Sequence, residues 1–518
     1  MKYVLAFDCG TGGCRATLFS EAGDVICSVS EKVPTRYPSS FQHVQSPEMW
    51  TEALFSTGKT VVELARSDKG VAVSDISAIG IGGQSLGAIP LDSGGRLLRP
   101  WAPIWSDGRS TEQTAGFFTK FDEDTWYRRT GAGMPPQNYP LFKLLWYWDN
   151  EPGMFLEIDQ LVSLKDYLNL KLTGVLKTDY SSAGGSGCWN LVEKCYDEEI
   201  IAKAGVSKDI FPKAVPSTEV IGTLTDAAAE RLGLSSETKV VAGGVDNCCI
   251  ALGAKCYKSG RLAASVGSCS WIGTSSSAPL LDAKIRPFVF PHVVEGQFLT
   301  STGVFSTGTT LRWVKEHLCR DIDRQAKESG RNPYYMMADE AKKSVIGANC
   351  LILNPSFGGP SRRSEGVNLR GAFLGLSLFH TQADIIRATF EGMAMGLKGA
   401  LDEIRTLASP KTPIRMAGFA MPELILYIYS NILNHDIITG ENSTAIPALG
   451  AASLAAVGAG IWKDFEILEE IADPTETLTT PDAPSVASYR PVLYVFKKST
   501  ERLNQLAEDW EADLFEID

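Results

Sequence analysis

Short apolar runs alternate with helical stretches along most of the chain. Tyr3–Phe7, Ile79–Ile81, Lys239–Val245 and Leu262–Val266 read as strands, each closed by glycine or a polar residue. NCCIALGA at 247–254 and ALGAASLAAVGAG at 448–460 have helical character. This alternation predicts an α/β fold. YVLAFDCGTGGCRATLF at 3–19 reads strand, Gly-rich turn, strand, and RLAASVGSCSWIGTS at 261–275 reads the same way. Each turn aims several backbone N–H groups at one place, which makes a concavity suited to anions. The pair suggests two related domains, one in each half; two unrelated hairpins using glycine for turn geometry are the alternative.

Composition narrows the picture. Hydrophobic residues are 44% and charged residues 21% of the 518, which excludes long disorder and coiled coil. Lys+Arg is 49 against Asp+Glu 61, a net charge of −12. Such a field attracts neither nucleic acid nor an anionic membrane, so neither is expected as a partner. The 11 cysteines form no C-x-x-C pair, and the five histidines have no zinc-ligand spacing. The apolar stretch before Asp8 is too short for a signal segment. Ala448–Trp462 is too short to span a bilayer and reads as a tightly packed buried helix. A cytoplasmic protein is expected.

Several passages could carry chemistry. Asp8-Cys9-Gly10-Thr11-Gly12-Gly13, closing at Arg15, lets backbone approach phosphate oxygens, and Asp8 at the strand end could hold a hydrated Mg²⁺. It is neither a Walker A loop nor a Rossmann fingerprint. Asp246 follows the buried run KVVAGGV and reads either as a helix N-cap or as a carboxylate delivered to a cleft at a strand end. Cys248 and Cys249 read as core, since no cation sits beside them in sequence. IGIGGQSLG (79–87) exposes Gln84 and Ser85 at a turn. Trp105, Asp107 and Arg109 lie within five residues and suit sugar recognition, or form a surface turn with a half-buried Trp. GVFSTGTTLRW (303–313) and RMAGFAM (415–421) are Gly-bearing passages running into helices.

Together these passages resemble the FGGY carbohydrate kinases, within the superfamily of actin-like ATPases and hexokinases. The match follows family order along nearly the whole chain. Its most specific part is GAFLGLSLFHTQADIIRATFE, where Gly371, Phe373, Gly375, Leu376, Asp384, Ile385, Ala388, Thr389, Phe390 and Glu391 fit the family's C-terminal signature. Phe357-Gly358-Gly359 lies just upstream. Pro140, Lys143 and Trp146 fit the N-terminal signature, and Asn138 and Tyr147 do not. Gly83-Gln84, Gly243–Asp246, LTGVLKTDYSSA (172–183) and the run 448–460 complete the set.

The resemblance implies two ribonuclease-H-like domains of an α/β fold, at 1–252 and 253–518, flanking a deep interdomain cleft, with a C-terminal helical tail. The first would bind sugar and carry the base; the second would bind the nucleotide. It implies ATP and Mg²⁺ as cofactors, with Asp246 the general base and Asp8 and Asp246 at the metal. Gly10, Thr11, Gly12, Arg15, Gly267, Ser268, Gly308, Arg312, Gly418 and Met421 would surround the nucleotide. Gln84, Ser85, Trp105, Asp107, Arg109 and Asp246 would line the sugar. The subgroup nearest in pattern is the xylulokinases, which points to a ketopentose such as D-xylulose. Their usual G-Q-M-H-G is here Gly83-Gln84-Ser85-Leu86-Gly87, and the adenine loop reads Ala417-Gly418-Phe419-Ala420-Met421, one residue short. Ribulose, fuculose, erythritol, gluconate or glycerol are therefore alternative substrates. An actin-like ATPase switch is the reading from another class, and a homodimer is left open.

Overall fold

The apolar run at the N-terminus forms β1 (Tyr3–Gly10), which turns through Thr11-Gly12 into antiparallel β2 (Gly13–Ser20) and then β3 (Val25–Lys32). The computed structural model describes residues 1–39, 41–304, 306–357, 369–418 and 421–513, with side chains as far as 507. Gly358, Gly359, Phe419 and Ala420 of the motifs above lie outside the described residues. β4 (Ile76–Gly83) lies parallel to β1, with β5 (Val220–Thr223), β6 (Lys239–Val241) and β7 (Gly244–Val245) beyond. The seven-stranded sheet runs β5-β6-β4-β1-β2-β3, with β7 also on β4.

β1 and β4 are buried along almost their whole length, as strands covered on both faces must be. The helix Pro47–Lys69 covers β2 and β3. Ser46 caps its first turn, and Gly70, in the left-handed region at φ 67°, ends it. The helix Ile446–Gly458 lies on β1 and β4 and against the helix Asp246–Gly253. Contact is so close that a Cβ on Gly80 would sit 2.2 Å from the Ala451 carbonyl oxygen, and one on Gly450 1.8 Å from that of Cys249. The run 448–460 is thus the buried helix its small residues predict.

The KVVAGGV run does not form the unbroken strand expected. β6 pairs Val240 with Ile79 and β7 pairs Gly244 with Gly82, so Val241, Ala242 and Gly243 stand opposite Gly80 and Ile81. This is a bulge. Gly243 takes φ 73°, and a Cβ there would meet the Ile81 carbonyl oxygen at 2.2 Å. A separate core of Phe117, Trp126, Tyr127, Phe142, Tyr147 and Leu86 serves the helical region that follows β4.

In the second unit β8 (Leu262–Val266) turns into antiparallel β9 (Ser270–Ser276), and β10 (Ile414–Gly418) runs parallel to β8. β11 (Ile437–Thr439) and β12 (Thr477–Thr479) extend the sheet. The hairpin-then-parallel order of β1-β2-β4 recurs as β8-β9-β10, which accounts for the internal echo. By contacts, each unit is assembled from separated segments of the chain. The first comprises Met1–Ser259, Ser275–Thr300 and Ala445–Ala472; the second comprises Gly260–Thr274, Ser301–Thr444 and Asp473–Asp518. The physical reason is the packing of Ile446–Gly458 on β1 and β4, which returns a late segment to the first unit. Among the described residues no helix is long and apolar enough to cross a membrane.

Candidate active site

Register places the two candidate carboxylates at one edge of the first sheet. Asp8 on β1 is level with Gly82 on β4, and Gly82 with Gly244 on β7; Asp246 follows β7 directly. This is the C-terminal edge of the parallel strands, where α/β proteins gather functional groups. Each carboxylate keeps part of its surface accessible. Burial nevertheless pushes the Asp246 carboxyl up to about 7; the Asp8 charge adds to the push and the N–H of Asn247 opposes it. Burial raises Asp8 to about 6 against the charge of Arg15, its partner across the β1–β2 hairpin. Asp246 occupies the first helical position rather than the cap, which falls on Val245. Its Oδ1 accepts the Asn247 N–H at 2.8 Å, so the capping reading survives only in that one bond.

Of the expected sugar residues, Trp105 and Gln84 come together at the Thr11 turn, at the same end of the sheet. Trp105 Nε1 donates to Thr11 Oγ1 at 2.8 Å, tying a residue expected at the sugar to one expected at the nucleotide. Gln84 is buried, and its amide donates to Gln45 Oε1 at 2.7 Å. Gln45 in turn donates to the Thr11 carbonyl at 2.9 Å and accepts from Trp50 Nε1 at 3.1 Å. Asp107 is fully buried; it takes two bonds of 2.8 Å from Arg109 and one of 2.7 Å from the His43 N–H. The Arg109 guanidinium lies over the Trp146 ring at 4.8 Å. Asp107 and Arg109 thus form a bidentate pair that stiffens their own loop. Ser85 is half-buried, whereas Leu86 is buried among the aromatic residues, at φ 58°.

In the second unit Gly267 and Ser268 form the β8–β9 turn. The Gly308 N–H donates to the Gly267 carbonyl at 3.0 Å and the Thr309 N–H to that of Ser268 at 3.3 Å. These bonds dock the first turn of the helix Thr307–Leu318 on the hairpin. Gly418 pairs with Val266 at the end of β10. Arg312 is exposed on the helix, and Met421 is buried in the core of this unit.

Models of the FGGY family of carbohydrate kinases match here, the N-terminal domain over residues 3–253 and the C-terminal domain over 262–459. The chain belongs to the FGGY carbohydrate kinases. Over 504 residues it is 30% identical to a xylulose kinase of Bacillus subtilis, covering 96% of each chain. It is 27% identical to a gluconokinase of the same organism over 497 residues, covering 96% of this chain and 95% of the relative. The crystal structure of a ligand-bound xylulose kinase from Lactobacillus acidophilus superposes with a TM-score of 0.85 at 25% identity, over 97% of this chain and 98% of that one. This FGGY protein is an ATP-dependent carbohydrate kinase with the two-domain fold of the family.

The most specific FGGY signature turns out to be scaffold. Asp384 begins the helix Gln382–Leu407 and accepts from Thr381 N and Oγ1, Ser344 Oγ and Asn349 Nδ2. Burial works against its charge, yet these bonds hold it down at about 2. Glu391, also buried, is held by Arg387 and the Tyr489 hydroxyl. Sequence reading passed over His43 and Gln45, which carry no local motif. Lys143 fits the N-terminal signature, and its role is structural. It is fully buried, and its ammonium donates to the carbonyls of Leu86 at 2.9 Å and Ile104 at 2.6 Å. A single lysine among apolar residues in PLFKLLWYW was the available signal.

Proposed function

We propose that the chain transfers the γ-phosphoryl group of ATP to a hydroxyl of a ketopentose, D-xylulose first, with Asp246 as general base. The observation that carries the base assignment is the carboxylate placed directly after β7, at the C-terminal edge of the parallel strands where Asp8 also ends up. A carboxylate positioned there can accept the proton of the attacking hydroxyl. The transition state of phosphoryl transfer is loose, so the protein's work is to position and neutralise. Gln84, Ser85, Trp105, Asp107 and Arg109 are assigned to the sugar end, some touching it and others holding the loops. Gly10, Thr11, Gly12, Arg15, Gly267, Ser268, Gly308, Arg312, Gly418 and Met421 are assigned to the nucleotide.

Two neighbouring carboxylates, Asp8 and Asp246, fit the Mg²⁺ that such chemistry uses. Mg²⁺ is commonly held by one or two carboxylates plus phosphate oxygens and water, not by a protein cage. Among the described residues no cluster of three or more His, Cys, Asp or Glu makes such a cage. When bound, the ion would neutralise phosphate charge. Dependence on ATP supports a cytoplasmic location.

D-Xylulose rests on the relatives named xylulose kinase. Gluconate or a polyol is the second reading, favoured by Ser85 and the inward-packed Leu86 at the sugar loop. ADP release measured over D-xylulose, D-ribulose, gluconate, glycerol and erythritol decides. The highest kcat/KM is expected with D-xylulose; a higher value with another compound moves the assignment there. ATP hydrolysis indifferent to every sugar would favour the switch module.

A further inference from the structure

The bulge before Asp246 leaves backbone groups that β4 cannot pair. The Ala242 carbonyl accepts Lys165 Nζ and Asn169 Nδ2, both at 2.9 Å. The Val245 N–H donates to Ser181 Oγ at 2.9 Å. The bulge is therefore gripped on both sides of Gly243-Gly244 by side chains from the helix Leu164–Thr173 and the helix Tyr180–Gly184. Asp179 ties the grip together. Its Oδ2 accepts the Ser181 hydroxyl at 2.5 Å and that of Ser217 at 2.9 Å, and its Oδ1 lies 3.2 Å from Lys165 Nζ. Lys165 also meets Asp166 at 2.6 Å. All of these side chains are buried. Burial disfavours the Lys165 charge, but Asp166 and Asp179 more than offset it and raise its pKa above the ordinary value.

We propose that Lys165, Asn169 and Ser181, oriented by Asp179, are positioning residues that set the place of the Asp246 carboxylate during phosphoryl transfer. This rests on the reading of Asp246 as base. The Ala242 and Gly243 N–H groups donate to the Glu219 and Ser217 carbonyls, at 2.9 and 3.0 Å, but the Ala242 carbonyl and the Val245 N–H, on the two sides of Gly243-Gly244, are held by side chains alone, and without that hold Asp246 would drift. A displacement of about 1 Å at a reacting group can cost on the order of a hundredfold in rate. The helices carrying these residues come from 164–184, the part of the chain that includes LTGVLKTDYSSA.

A double-mutant cycle on the full-length enzyme tests this, with single-turnover kinetics on the best substrate of the screen. Ser181→Ala removes one hydroxyl and no charge. Expected is a fall in kcat of roughly tenfold or more, with sugar and ATP KM within about threefold. In an Asp246→Asn background the same change should cost less than about twofold, because the group being positioned is gone. Equal losses in both backgrounds, or no loss in the first, overturn the proposal. Near-native turnover in Asp246→Asn alone identifies failure of the base reading, and the proposal falls with it. If Ser181→Ala does not fold, Asn169→Ala carries the same cycle, since it removes a donor to Ala242 and no charge.

Discussion

Replacing Lys143 by Met should change how stability depends on pH. The ammonium is wholly buried and donates to the Leu86 and Ile104 carbonyls. Burial pushes its pKa from 10.5 down to about 7, with Asp107 opposing the shift and Arg109 adding to it. The unfolded chain therefore binds the proton more tightly, and stability rises as pH climbs from about 7 towards 10.5. At about 1.4 kcal/mol per pH unit, the wild type gains roughly 3 kcal/mol between about pH 7 and 9.5 from this group alone. A neutral amine keeps two N–H donors, enough for both carbonyls. Lys143→Met gains none of this and leaves two buried acceptors unpaired, at about 1–3 kcal/mol each. Near pH 7 the loss is largely offset by removal of a buried charge, so the two proteins should melt within a few degrees. Melting followed by circular dichroism should show the gap widening by roughly 5 °C towards about pH 9.5, at about 1–2 °C per kcal/mol. Other groups titrate alike in both proteins and cancel. Melting curves that stay parallel across this range would refute the reasoning.

Three further outcomes are expected. His292 is buried neutral, its Nε2 facing the Cys256 carbonyl and its Nδ1 accepting from Val294, and burial pushes it down to about 4. Stability should be lost as pH falls from about 6.5 towards about 4, by roughly 3 kcal/mol in all, and His292→Gln should flatten that acid limb in thermal melts. Gly243→Ala should lower the melting temperature well beyond Gly233→Ala, since both take positive φ but only the first brings a Cβ onto backbone; equal drops would deny the clash. Ser85→Met with Leu86→His should shift kcat/KM for D-xylulose against the next best sugar by about tenfold, or ~1.4 kcal/mol, and an unchanged ratio takes the 83–87 loop out of the site.

Much of the scaffold was legible because its signals are local. Glycine-bounded apolar runs marked β1, β4 and β8, and small residues marked the buried helix at 446–458. The bulge at Ala242-Gly243 was hidden, because KVVAGGV reads as one strand until the register against β4 is known. Gln45 was hidden for a similar reason: its partner Gln84 lies 39 residues away, and no spacing links them. Asp107 and Arg109 carried a recognisable pattern, yet their mutual pairing is a matter of rotamers, which a pattern does not encode. Asp246 left two readings open because the residue that caps a helix and the residue that ends a strand are neighbours here.

The return of Ile446–Gly458 to the first sheet has a consequence for birth on the ribosome. The face of β4 that this helix covers is complete in sequence long before its cover exists. Between Gly253 and Ile446 the ribosome must add about 190 residues, which at about 5–20 residues per second takes roughly 10–40 s. Throughout that interval the nascent chain carries a bare apolar strip at Gly80–Gly83, narrow because glycines line it. Vectorial synthesis therefore cannot finish the first unit before the second has emerged. A fragment stopped at the 252/253 boundary would keep that strip exposed and call for a chaperone or a complementing peptide.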